Sequence, residues 1–296
     1  MKLQLTHGRA VLLMVLVTLM WSTAGVVTRQ LEEARSFELT FWRSFFTVLS
    51  LLVILPLMQG RRVFQSLIKG GVSYWISGLC WCVMFTAFMV ALSLTTVANV
   101  LVTLAVGPLL TALFARLFIG HRIAAHTWAA IVVAGAGIAW MHAPSFTVGD
   151  SRQLIGTVVA LMVPIAGASN WTLVQRSQSL GLKVDLIPAV LLGAVMSCLL
   201  TLPLALPLSA SAHDVSWLAL LGLTQLAIPC VLSVICASVL KAPEISLLAL
   251  LEVIFGIAWA WLGAGEVPGS TVLTGGALVM SALIANELLG LRGRRV

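Results

Sequence analysis

The sequence predicts an all-α integral membrane protein, with ten transmembrane helices forming two inverted five-helix repeats around a central cavity. Three observations predict it. The composition is 60% hydrophobic and only 9% charged, where soluble domains average roughly 45–50% and about 25%. Ten long apolar runs, joined by short connections, fill almost the whole chain. Residues 145 positions apart (236 − 91) also echo one another.

The runs are justified first by length. A helix crosses the hydrocarbon with about 20 mostly apolar residues. Hydropathy places the runs at 9–28, 36–58, 71–93, 97–119, 124–143, 153–174, 186–207, 215–238, 243–264 and 270–290. Ten passes leave no room in 296 residues for a soluble catalytic or nucleotide-binding domain. The first run follows Met1–Arg9 as a signal peptide would. It continues from Leu12 to Val27 into a charged loop without a clear cleavage site, so it reads as a retained membrane helix.

The third and fourth runs are separated only by Leu94-Thr95-Thr96, and charge decides the count. With ten passes and the N-terminus inside, the inner loops receive Lys2, Arg9, Arg61, Arg62, Lys69, Arg116, Arg122, Arg176, Lys183, Lys241, Arg292, Arg294 and Arg295. The outer loops receive Arg29, Arg35 and Arg152, and Arg43 falls within a run. Merging the two runs would flip every later loop and bring positive charge outside, against the positive-inside bias. The same placement explains the net charge of +7 without a nucleic-acid partner. The expected partners are the lipid bilayer and a small molecule.

The repeat sets the domain organisation. Ala91-Leu92-Ser93 recurs as Cys236-Ala237-Ser238, and Ala98 corresponds to Pro243. The same shift carries Gly107-Pro108 onto Glu252-Val253, Gly120-His121 onto Gly265-Glu266, and Gly135–Gly137 onto Met280–Ala282. The expected units are residues 1–145 and 146–296. Five passes per unit is odd, so the second unit enters the membrane from the opposite side. That symmetry suits alternating access.

An ionisable group near the bilayer centre is a functional-site hypothesis by default. Glu252 lies about 13 Å into the ninth run, where it would attract an amine, exchange a proton, or only tie helices together. Arg43 in the second run either plays a structural part, its stem snorkelling to the headgroups or its guanidinium pairing with backbone carbonyls, or offers an outward-facing site for a carboxylate. Asn170 and Gln225 either hydrogen-bond a zwitterion or join helices. Asn99 is a weaker candidate near a span end. Lys241 and Glu244 flank a turn as an inner gate or a plain loop ion pair. Trp21 and Trp171, beside Thr23 and Asn170, are read as cavity-lining aromatics, whereas Trp259 and Trp261 are not. Trp42, Trp75, Trp128 and Trp217 read as interfacial anchors. Gly107, Pro108, Pro164, Pro229 and Gly256 are candidate hinges. Gly135, Gly137, Gly275 and Gly276 suit close helix packing at a scaffold or a dimer face, so both monomer and homodimer stay open. The five cysteines all lie in apolar runs and read as small buried hydrophobes. No metal or cofactor site is expected.

Leu19-Met20-Trp21-Ser22-Thr23, Phe41-Trp42-Arg43, Ser246–Glu252 closed by Gly265-Glu266, and the 145-residue duplication together carry a family likeness. With these the chain resembles the drug/metabolite transporter superfamily, in particular its ten-helix EamA-type members and, among them, the YddG-type amino-acid exporters. The resemblance implies a secondary transporter in the bacterial inner membrane, with both termini cytoplasmic, exporting aromatic or neutral amino acids or related metabolites. The chain departs from the family pattern. Glu-Pro in both central helices is reduced to Pro108 in one half and Glu252 in the other, and His121 stands opposite Glu266.

No G-x-x-x-x-G-K-[ST] run is present, so ATP hydrolysis is not intrinsic. An intramembrane enzyme would need a nucleophile–base or metal constellation, yet His7, His121, His126, His142 and His213 fall in loops or at span ends. Phosphorylated solutes would call for several deep Lys or Arg, and only Arg43 is deep. An exporter of lipophilic drugs remains the alternative.

Overall fold

In lipid no water is available to backbone N–H and C=O groups, so a spanning segment must bond them within itself. The computed structural model of the chain describes residues 5–34, 36–60, 63, 71–120, 125–148, 151–180, 185–240 and 242–293. Among these every regular element is helical. In chain order they are α1 (His7–Trp21), α2 (Thr23–Thr28), α3 (Ser36–Gln59), α4 (Val72–Leu94), α5 (Val97–Leu104), α6 (Gly107–Ile119), α7 (Ala125–Val148) and α8 (Ser151–Ser179). Then follow α9 (Pro188–Ala205), α10 (Ala212–Leu221), a π-helical segment (Gly222–Ala227), α11 (Ile228–Cys236), α12 (Ala242–Ala249), α13 (Leu251–Ala264) and α14 (Ser270–Gly293). Among the described residues eight helices are long and apolar enough to cross a membrane, some of them made of two or three consecutive elements. The chain is a multi-pass membrane protein. The fifth and tenth expected runs form α7 and α14, whose apolar stretches among the described residues are shorter, Ala125–Met141 and Ser270–Asn286.

Several spans are broken, and the breaks have local causes. At Ser22, between α1 and α2, the hydroxyls of Thr18, Ser22 and Thr23 donate to the carbonyls of Val15, Leu19 and Met20 at 2.7, 2.7 and 2.8 Å. Such back-bonding bends helices. Between α5 and α6 the chain turns at Ala105-Val106, and Pro108 opens α6 where its missing N–H costs nothing. The break between α12 and α13 falls at Leu250, whose N–H donates to the Leu247 carbonyl at 3.1 Å. Positions 105 and 250 are again 145 apart. So are Gly120 and Gly265, which end α6 and α13 with φ of 79° and 63°, a left-handed conformation that favours glycine.

Two apolar cores hold the bundle. One gathers Met14, Leu55, Tyr74, Val190 and Ile245, and the other Leu92, Val100, Leu109, Leu218 and Val279. The first adjoins the start of α1, called the near face here. There His7 Nε2 pairs with Glu244 Oε1 at 2.6 Å, and the Cys236 thiol donates to the Ala10 carbonyl at 3.5 Å. Close approach replaces the missing hydrophobic drive between helices in lipid. Gly137 and Gly275 lie against each other where α7 crosses α14, and a Cβ on Gly275 would come within 2.6 Å of the Gly137 carbonyl oxygen. These two glycines serve packing within the chain, rather than the dimer face that the sequence left open. Gly276 faces Val102, and a Cβ on Gly135 would meet nothing within 4 Å.

At the far face two buried carboxylates tie two loops together reciprocally. Asp214, at the start of α10, accepts the backbone N–H groups of Glu32, Glu33 and Ala34 at 3.0, 2.9 and 2.9 Å. Glu38, at the start of α3, accepts those of Ser209 and Ala210 at 2.8 and 2.7 Å, and the Ser209 hydroxyl at 3.0 Å. Hydrogen bonds to a charged acceptor contribute about 1.5–3 kcal/mol each. Asp214→Ala should therefore destabilise the protein by about 3 kcal/mol or more, read from its unfolding in detergent. The exposed Ser216→Ala should stay within about 0.5 kcal/mol of the parent. Equal stability of the two variants would refute the tie.

Candidate functional site

The cores meet around a central cavity of about 150 Å³, which holds on the order of ten water-sized positions. Its wall is largely apolar and aromatic. Trp21 ends α1, and Trp81, Met84, Phe85 and Phe88 come from α4. Val163, Pro164, Gly167, Ala168 and Trp171 come from α8, and Leu101, Leu104, Gly107, Pro108 and Thr111 from α5 and α6. The indoles of Trp81 and Trp171 meet edge to face at 6.0 Å and 89°.

Two ionisable groups of opposite sign share this wall, Arg43 and Glu252. Arg43 is fully buried. Its Nη1 donates to Gln225 Oε1 at 3.0 Å, and its Nη2 to the Phe85 carbonyl at 2.7 Å. The guanidinium lies 5.9 Å over the Phe88 ring. Its Nε has no hydrogen-bond partner among the described residues. Every partner is neutral, so the buried cation has no counter-ion there, an arrangement that is costly unless an anion arrives. Local structure puts it in place. A Cβ on Gly222 would come within 2.8 Å of the Arg43 carbonyl oxygen and of Phe46 Cβ, so only glycine lets the π-helical segment sit this close to α3. That approach brings Gln225 to Arg43. The Gln225 amide also donates to the Trp21 carbonyl at 3.4 Å, at the end of broken α1. Snorkelling to the headgroups, one of the readings of Arg43, is replaced by full burial.

Glu252 stands two residues beyond the α12–α13 break, in the first turn of α13. Among the described residues its carboxyl forms no hydrogen bond or ion pair. The first turn of a helix favours negative charge, because its N–H groups point that way. The cavity thus presents an uncompensated cation and an unpartnered carboxyl that are not paired with each other.

The remaining expected residues separate into three groups. Trp21, Trp171, Gln225, Gly107, Pro108 and Pro164 line the cavity. Asn170 does not line it. It is fully buried, with Oδ1 accepting from the Ser77 hydroxyl at 2.7 Å, and so joins α8 to α4. Thr23 spends its hydroxyl on the bend at Ser22. Asn99 is buried, with Nδ2 donating to the Thr95 hydroxyl at 2.9 Å. Gly256 lies inside α13 against Leu101 rather than at the break, and Pro229 begins α11 after the π-helical segment. Pro164 sits within α8, which continues past it. Glu244 pairs with His7 across the near face, whereas Lys241 lies outside the described residues. His121, set opposite Glu266 by the repeat, lies outside them too.

On the α4 side of the cavity, sequence reasoning placed Trp81 deep in its span without assigning its face, and missed Phe85 and Phe88. Trp81, Phe85 and Phe88 fall at i, i+4 and i+7, one face of a helix, and this spacing was the available signal. It also missed the far-side clasp. Arg29 Nε donates to Glu266 Oε2 at 3.0 Å, and its Nη1 and Nη2 to the carbonyls of Leu92 and Thr95 at 3.2 and 3.0 Å. The other oxygen of Glu266 accepts the N–H of Val97 at 2.7 Å. A cation thus satisfies the end of α4 and an anion the start of α5, as the helix dipoles favour. The clasp stabilises the short turn whose three residues made the span count hard to read.

Comparison with known proteins agrees with this architecture. Searching the curated proteins finds no match. A solved crystal structure of another protein shares 17% identity and superposes with a TM-score of 0.66, covering 96% of this chain and 99% of that one. At that identity the likeness is one of fold. Residues 8–142, which run from α1 into α7, match the EamA-like transporter family.

Proposed function

We propose that the whole chain is a small-molecule transporter of the EamA type, a secondary carrier moving aromatic or neutral amino acids outward by alternating access. One observation carries the reading of the substrate. Among the described residues the cavity wall holds a buried guanidinium without a counter-ion and an unpartnered carboxyl, not paired with each other. A zwitterion complements both, with its carboxylate toward Arg43 and its ammonium toward Glu252. The surrounding indole and phenyl rings suit an apolar or aromatic side chain. A purely cationic lipophilic drug would leave Arg43 uncompensated, so the amino acid is the better fit.

The transport cycle rests on ten spans in two inverted repeats, residues 1–145 and 146–296. Breaks at 105 and 250 and left-handed glycines at 120 and 265 support that arrangement. So do the packing pairs. The contact of α4 with α8 has its counterpart in α11 with α1, and that of α6 with α8 in α13 with α1. The pairs α3 with α9 and α7 with α14 map onto themselves, and α5 with α13 has its counterpart in α12 with α6. Exchanging the two half-conformations would open the cavity to either side in turn. The positive-inside bias puts the near face in the cytoplasm, and a bacterial inner membrane is the proposed location.

Uptake of a panel of labelled amino acids into proteoliposomes, with and without a pH gradient, tests the reading. Movement of neutral and aromatic amino acids is expected. Movement of lipophilic drugs with no amino acid moving would overturn it. Glu252→Gln should abolish transport or its pH dependence in protein that elutes as folded, and parental rates at every pH would leave Glu252 a structural role. For Arg43→Lys, loss of the two-donor geometry should cost roughly tenfold or more in affinity for L-phenylalanine while n-alkylamines bind as before. Equal losses for both ligands would remove Arg43 from carboxylate recognition.

A further inference from the structure

A second chamber of about 80 Å³ lies toward the near face, lined by α8, α12 and the turn that follows α11. Trp171 and Ile245 line both this chamber and the central cavity. They are 8% and 1% exposed, so they fill the space between the two.

Helical periodicity joins the chambers into one route. On α8, Pro164, Ala168, Trp171 and Gln175 are spaced by four, three and four residues, which is a single helix face. The first three line the central cavity, and Trp171 and Gln175 line the near chamber. Across from them Ala242, Ile245 and Ala249 repeat at three and four residues along α12. From Pro164 to Gln175 the α8 face runs about 17 Å, from beside the cavity centre toward the near face. Within the chamber Gln175 Oε1 is buried and accepts no hydrogen bond among the described residues. A buried amide oxygen without a donor is costly, and among the described residues the rest of the lining is apolar apart from the indole of Trp171.

We propose that the near chamber is a second binding station for the solute. It is separated from the central cavity by a septum of Trp171 and Ile245, and Gln175 Oε1 accepts a hydrogen bond from the solute's ammonium. The solute's ammonium is the part of the inference that rests on the function proposed above. The septum does not depend on it. Opening the route needs only that two side chains change rotamer, while α8 and α12 keep their backbone bonds.

The test uses the full chain with its five cysteines replaced by alanine and one reporter thiol introduced at a time. Gly167→Cys reports the central cavity. A Cβ there meets Met84 Sδ at 3.6 Å and Trp171 Nε1 at 3.9 Å, which is ordinary contact. Val239→Cys reports the near chamber. Rates of reaction with a small anionic methanethiosulfonate are followed by mass spectrometry on purified protein. Ile245→Ala should speed labelling of Gly167→Cys roughly tenfold or more and leave Val239→Cys unchanged. Trp171→Leu gives the same reading if Ile245→Ala does not fold. Unchanged Gly167→Cys rates would overturn the septum. L-Phenylalanine and n-butylammonium should each protect Val239→Cys, and Gln175→Leu should abolish both effects. Protection by neither, or protection that survives Gln175→Leu, overturns the station. Protection by n-butylammonium alone supports the station and counts against the amino-acid reading.

Discussion

Arg43 is the constraint around which the centre of this bundle is arranged. A guanidinium with no exposed surface and no counter-ion among the described residues is tolerable only where the protein supplies donor-matched oxygens. Two elements distant in sequence provide them. The π-helical segment brings Gln225 and α4 brings the Phe85 carbonyl, while the Trp21 carbonyl at the end of α1 accepts from the Gln225 amide. Gly222 makes the approach possible, because any side chain there would collide with the backbone of α3. The irregular backbone is therefore concentrated beside the cavity, as expected where non-helical structure must avoid lipid.

The two faces of the protein are secured by different means. At the far face, charges are spent on backbone ends. Glu38, Asp214, Arg29 and Glu266 all bond main-chain groups of loops or helix termini. The near face described here carries His7 paired with Glu244, and apolar packing around Trp171 and Ile245. Backbone hydrogen bonds to buried charges are expensive to break, whereas apolar side chains change rotamer readily. The near route and the far clasp thus differ in what must be given up to open them.

The all-helical membrane class was legible because it depends on composition and length, which lipid imposes residue by residue. Glu252 and Gln225 were legible as cavity groups for a related reason, since a polar side chain in hydrocarbon needs a purpose. Asn170 satisfied the same rule and yet faces Ser77. Depth can be counted along a sequence, but rotation about the helix axis relative to a neighbour cannot. Trp81, Phe85 and Phe88 show the converse. Their shared face was readable, but not that it points inward, because in lipid both sides of a helix are apolar.

By itself the sequence determined the all-helical membrane class, the positions of the apolar runs, and the 145-residue echo that recurs in paired breaks and paired left-handed glycines. These follow from local chemistry, namely hydropathy, proline and the conformational freedom of glycine. Only the tertiary structure decided that Arg43 is buried rather than snorkelling, that Glu266 closes on Arg29, and that Arg43 and Glu252 face one cavity unpaired. Those outcomes depend on contacts between residues more than 180 positions apart in sequence for Arg43 with Gln225, and more than 230 for Arg29 with Glu266. The packing of one span against another sets them, and no stretch of the chain encodes that packing alone.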